Sequence, residues 1–152
     1  MTLKRSVRGA IEPFIVMDVM RAANERAAKG GDVLHLEVGQ PGSGAPAPVI
    51  EAARAALIGD RLGYTDALGL AALRQKIARY YKDDYGLEID PARVAVTTGS
   101  SGGFVLGFLA AFDPGDRVAL ADPGYPAYRN ILKALGVEPV GLAVGPETNF
   151  QP

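Results

Sequence analysis

From residue 93 onward the chain alternates between strand-like runs and helices, and that order limits its fold more than any other feature. Residues 93–97 (Arg-Val-Ala-Val-Thr) read as a buried strand, followed by a glycine-serine turn and an apolar helix to Phe112. Asp113-Pro114-Gly115-Asp116 is a turn, residues 117–121 a second strand, 126–135 a further helix and 137–144 a last strand. Strands joined through helices pair in parallel, because each crossover returns the chain to the same end of the sheet. The expected class is therefore α/β, with a mostly parallel sheet and helices on both faces.

The upstream half is read from its punctuation. Pro13 stands at a first helical position, Phe14, Met17 and Met20 recur every three residues, and Gly30-Gly31 ends the pattern, which predicts a helix over 13–29. Leu34, Leu36 and Val38 alternate with His35 and Glu37, a short strand signal. Residues 39–46 are too rich in glycine and proline for regular structure, and 48–57 are strong helix formers. Leu70, Leu73, Ile77 and Tyr80 mark one face of a long helix. Its other face carries Arg74, Lys76, Arg79 and Lys82 and reads as solvated charge. Tyr80, Tyr81 and Tyr85 read as packing residues, and His35 as a packed or surface histidine without a role.

Subtraction narrows the chemistry. With no cysteine, disulfide scaffolds, thiolate metal sites and cysteine nucleophiles are excluded. One histidine leaves no clustered metal site, and no metal is expected. Sixteen basic against seventeen acidic residues argue against a nucleic-acid or membrane-surface partner held by a basic face. Lys4, Arg5 and Arg8 precede an apolar stretch, but Glu12, Pro13 and Asp18 interrupt it, so a signal peptide is not expected. No run approaches the roughly 20 apolar residues of a membrane span. Cytoplasmic residence is the expectation.

The turn Thr97-Thr98-Gly99-Ser100-Ser101-Gly102-Gly103, between strand and helix, carries the chemistry. Backbone N–H groups at a helix start attract anions, and two serine hydroxyls at that spot make phosphate the first ligand to consider. A helix cap with close-packing glycines explains the same residues equally well. The dinucleotide pattern G-x-G-x-x-G fails at its second glycine, and a Walker ending is absent. Gly99-Ser100-Ser101-Gly102-Gly103 does match G-x-S-x-G, which would make Ser101 an acyl-transfer nucleophile. In such hydrolases the histidine follows the serine, whereas His35 precedes it.

Five runs in order resemble the N-terminal part of the class I/II aminotransferases, of the pyridoxal-phosphate-dependent fold-type I superfamily. They are Glu37-Val38-Gly39-Gln40-Pro41, Tyr64-Thr65-Asp66-Ala67-Leu68-Gly69 with Leu73-Arg74, Val94-Ala95-Val96-Thr97-Thr98-Gly99, Phe112-Asp113-Pro114-Gly115-Asp116 and Asp122-Pro123-Gly124-Tyr125-Pro126-Ala127-Tyr128. The resemblance implies pyridoxal 5'-phosphate as cofactor and amino-group transfer between an amino acid and a 2-oxo acid. Ser100 and Ser101 would meet the cofactor phosphate, and Tyr125 would lie against the pyridine ring. Tyr64 would reach a phosphate oxygen in the neighbouring subunit of a homodimer, and Gly39 would offer its N–H to the substrate carboxylate. Residues 1–42 would belong to a small domain that closes over substrate, and 43–152 would be the first part of the large cofactor-binding domain. The chain's length, which alone suggests one ordinary domain, then reads as a partial one.

The departures are specific. Gly102-Gly103 stands where helix formers are common, at roughly 1 kcal/mol per glycine relative to alanine. The loop after Gly39 lacks the acidic and aromatic residues often found there. The family's Schiff-base lysine is expected downstream, since none of Lys4, Lys29, Lys76, Lys82 and Lys133 stands in its context, and the 152 residues alone are expected to be inactive. A lyase or decarboxylase of the same fold, a non-catalytic pyridoxal-binding regulatory module and a serine hydrolase using Ser101 are the other readings. A sheet with absent neighbours is also expected to leave strand edges and apolar helix faces uncovered.

Overall fold

A computed structural model describes residues 3–152. Its regular elements are α1 (Ile15–Ala28), α2 (Ala47–Gly59), α3 (Ala71–Tyr85), α4 (Gly99–Ala111), β1 (Arg117–Asp122), α5 (Pro126–Leu135) and β2 (Glu138–Ala143), with short 3-10 turns at Val7–Ala10, Pro91–Arg93 and Pro146–Thr148. Two compact units result: residues up to Val38 together with Gly99–Pro152, and Gly39–Thr98. No helix among the described residues is long and apolar enough to cross a membrane.

The first unit is built on β1–α5–β2. The strands pair in parallel from Arg117 opposite Glu138 to Asp122 opposite Ala143, the α/β arrangement that the alternation of elements predicts. Pro126 opens α5 at its first turn, where a missing N–H costs nothing. Gly136 closes it in the left-handed region, with Val137 N–H returning to the Leu132 carbonyl at 3.0 Å. Between these signals the helix buries Leu132 completely, beside Val137 and Val144 at the two ends of β2. In α1, Asp18 sits in the first turn and Arg26 in the last, each complementing the helix dipole. The helix starts at Ile15 rather than Pro13, because Phe14 is extended at the cap position.

The second unit packs α3 against the turn Pro91–Arg93. Gly86 caps α3 in the left-handed region, and Leu87 N–H reaches back to the Tyr81 carbonyl at 3.2 Å. Arg74 is not the solvated charge that helical periodicity suggests. Its guanidinium, half-buried, donates to the Pro91 carbonyl (2.7 and 3.1 Å) and the Val94 carbonyl (2.9 Å). The neighbouring residue Ala78 is the buried one on this helix, while Leu73 stays exposed. The three tyrosines do pack together, with ring centroids 5.7 to 6.0 Å apart. Tyr85's hydroxyl beside it raises the Tyr80 phenol above its ordinary pKa.

Two expected strands do not form. Residues 34–38 and 93–97 run without a ladder. Val94 has extended backbone angles, and Val96 N–H donates to the Leu68 carbonyl at 3.0 Å, but one bond is not a strand pair. An extended run becomes a strand only when a neighbouring backbone supplies a continuous row of partners.

Much apolar surface is left uncovered. The chain exposes 12472 Å², against about 9,000 Å² for two separate compact bodies of these sizes.

Candidate functional site

The phosphate turn begins with a backbone constraint. Gly99 has φ +77°, a conformation that a side chain disfavours, and α4 starts there. Ser100 and Ser101 therefore fall in the first helical turn, both exposed, with no acidic residue in that turn. The early N–H groups of a helix have no partner within it, and the dipole adds partial positive charge. The helix start thus presents hydroxyls and backbone donors to an anion.

In the same unit, Tyr125 is set by the turn before α5. Asp122–Pro123 is a cis peptide. A Cβ on Gly124 would collide with the Ala121 carbonyl, so only glycine lets the turn close. Tyr125 then occupies the cap position of α5. Its ring meets Phe14 edge-on (centroids 6.0 Å, planes at 74°) and Tyr128 edge-on (5.2 Å, 69°). Held on those sides, it is still 52% exposed, which leaves surface for a planar ligand. Tyr128 in turn lies 4.3 Å from Phe104 of α4, centroid to centroid. A line of rings thus runs from the start of α1 through Tyr125 and Tyr128 to the first turns of α4.

A cavity of ≈ 740 Å³ lies against this turn, lined by Glu12, Asp18, Asp122, Tyr125, Tyr128 and Arg129 among others. Arg129 pairs with Asp122 at 3.2 Å, and Asn130 Nδ2 donates to the Glu12 carbonyl at 3.4 Å. Phe14, Tyr128 and Phe104 escape sequence reasoning, which reads Phe14 as one residue of a helix stripe. The i, i+3 spacing of Tyr125 and Tyr128 is the signal that could have found part of the cluster.

The other expected site residues lie in the second unit. Tyr64 is fully exposed, in a stretch before the turn that Gly69 N–H closes on the Asp66 carbonyl at 2.8 Å. Gly39 has open space where a Cβ would stand. Ser100, Ser101 and Tyr125 share one unit; Tyr64 and Gly39 share the other. His35 is engaged by Glu37, Nδ1 to Oε1 at 2.8 Å, and that hydrogen bond holds the Glu37 carboxyl below the ordinary carboxylate range. Among the described residues no cluster could hold a metal ion.

The profile of the family "Aminotransferase class I and II" matches residues 31–152. The chain belongs to that family. Over all 152 residues it is 55% identical to the valine–pyruvate aminotransferase of Mycobacterium tuberculosis, of which it covers 39%. Over 129 residues (85% of this chain, 35% of the relative) it is 37% identical to the (5-formylfuran-3-yl)methyl phosphate transaminase of Methanocaldococcus jannaschii. The crystal structure of an aminotransferase from Mycobacterium tuberculosis superimposes with a TM-score of 0.94 at 54% identity, over 99% of this chain and 39% of that one. The chain thus spans about two fifths of the length of the aminotransferases it matches.

Proposed function

We propose that this aminotransferase chain supplies the phosphate and ring subsites for pyridoxal 5'-phosphate in an enzyme that moves an amino group between an amino acid and a 2-oxo acid. One observation carries the reading: exposed Ser100 and Ser101 at the start of a 13-residue helix share a compact unit with Tyr125, whose ring packs against two others and is half exposed. That donor set fits the group. The helix start would take the phosphate through N–H and hydroxyl donors, and Tyr125 would hold the ring in plane. When bound, the cofactor's ring supplies the electron sink that makes the substrate's α-proton removable.

The remaining roles extend this. Tyr64, fully exposed, is free to donate its hydroxyl to a phosphate oxygen in a neighbouring subunit of a homodimer. Gly39, with no side chain, lets a substrate carboxylate approach its N–H. Residues 1–42 form part of the closing small domain, residues 43–152 the start of the cofactor domain, and the protein resides in the cytoplasm. Valine with pyruvate is the first substrate pair to assay, on the strength of the 55% relative.

The test adds pyridoxal phosphate to the full-length protein. A visible absorbance band is expected that borohydride abolishes, leaving near-ultraviolet absorbance that dialysis no longer removes; no visible band in the untreated protein sinks the reading. Ser101→Ala should weaken cofactor binding by roughly ten- to 150-fold, the loss of one hydrogen bond to a charged group. Labelling of Ser101 by a fluorophosphonate would instead support the hydrolase reading.

A further inference from the structure

We propose that Tyr128 is a positioning residue that sets the distance between the ring wall at Tyr125 and the phosphate turn at Ser100 and Ser101. The inference rests on the cofactor reading above and adds a residue to it. The two subsites stand on different helices, Tyr125 at the cap of α5 and the serines in the first turn of α4. A rigid ligand with a phosphate at one end and a ring at the other binds well only if that spacing is held.

Gly102 and Gly103 follow the serines directly, and these two helix positions bring no side chain to pack. Phe104 is the first bulky residue after them, one turn on from Ser101. Its ring sits 4.3 Å from Tyr128, the shortest of the ring pairs in this cluster. Tyr128 lies one turn along α5 from Tyr125 and meets it edge-on at 5.2 Å. Tyr128 is half-buried between the two. Aromatic side chains have few torsions, so a ring wedged between two others transmits position better than an aliphatic chain of similar volume. Phe104–Tyr128–Tyr125 is therefore a side-chain link between the helix that carries the serines and the ring wall.

The experiment uses the full-length protein with Tyr128→Phe, Tyr128→Leu and Phe104→Leu. Three quantities are read: pyridoxal phosphate affinity by absorbance titration, the induced circular dichroism of the bound cofactor, and the affinity for inorganic phosphate alone. Tyr128→Leu and Phe104→Leu are each expected to weaken the cofactor about three- to tenfold. Both should shrink its dichroism while leaving inorganic phosphate within twofold of wild type. Tyr128→Phe keeps the ring and should match wild type. The double leucine variant should be little worse than either single one, because both break one link.

Wild-type affinity and dichroism in both leucine variants overturn the proposal. So does a Tyr128→Phe variant as impaired as Tyr128→Leu, or a parallel loss of inorganic phosphate, which would mark general damage to the helix start. Should Tyr128→Leu fail to fold, Phe104→Leu carries the same comparison. A wild-type protein that binds no pyridoxal phosphate removes the cofactor reading itself, before any variant is made.

Discussion

Two helices of the first unit, α4 and α5, are packed in opposite ways. Helix α5 is amphipathic, capped at both ends by proline and glycine, and it buries Leu132 against a sheet that this chain itself provides. Helix α4 is apolar all round, GSSGGFVLGFLAA, yet none of its residues is buried; Val105, Leu106 and Leu109 are 36, 58 and 59% exposed. A helix apolar on every side belongs in an interior. The difference teaches that α5 finds its partners within these residues, whereas α4 is shaped for more cover than they give. The exposed apolar surface that the sequence leads one to expect is found here.

The largest effect should separate the two helices. Leu132→Ala is expected to cost about 2–5 kcal/mol of stability by denaturant unfolding of the full-length protein, from lost burial plus a cavity. In the 152-residue chain, Leu109→Ala should cost under about 1 kcal/mol, because that side chain is already wet. In the full-length protein the Leu109 cost should rise toward the Leu132 value. If it stays small there, α4 is a surface helix and the comparison fails.

A middle-sized effect tests how each helix is terminated. Gly136 and Gly99 both hold positive φ, at +83° and +77°, so an alanine at either is expected to cost about 1–2 kcal/mol in backbone strain. A Cβ at Gly136 also meets Pro114 at 3.3 Å, while one at Gly99 meets nothing within 4 Å. Gly136→Ala should therefore lower the melting temperature more. Gly99→Ala should do more harm to cofactor affinity than to stability.

How much of this was legible in the sequence follows the same division. Helix α5 could be read almost to the residue, because Pro126, its apolar stripe and Gly136 are local signals. The order of elements announced a parallel pair, and β1 and β2 form one. That residues 93–97 form no ladder could not be read, since a strand-like run reports a tendency to extend and says nothing about whether a strand is at hand to pair with. Arg74 was misread for a related reason: its acceptors lie 17 and 20 residues away, outside any helical period. Ser100, Ser101 and Tyr125 stood out through motif order, while Phe14 and Phe104 matter through contacts across the chain that no spacing rule encodes.

The smallest effect is a pH dependence in the second unit. Lys82 Nζ lies 2.6 Å from Glu88 Oε1, and the hydrogen bond lowers the Glu88 pKa and raises that of Lys82. For the carboxylate the stabilisation is present above its ordinary value of 4.5 and is lost as pH falls through the lower folded value. For the amine it is present below 10.5 and lost as pH rises through the higher folded value. The pair therefore works across the whole neutral range. Carboxyl NMR should show Glu88 titrating below 4.5, and Lys82→Ala should return it there.

The contacts between the start of the chain and α5 also have a consequence in time. Asn130 holds the Glu12 carbonyl across 118 residues of sequence, and Phe14 rests on Tyr125 close by. At ribosomal speeds of about 5–20 residues per second, Glu12 waits roughly 6–24 s for Asn130 to be made. Throughout that interval Phe14 is without the ring it packs on. Helix α1 is therefore made well before the ring it rests on, an apolar segment for a ribosome-associated chaperone to shelter.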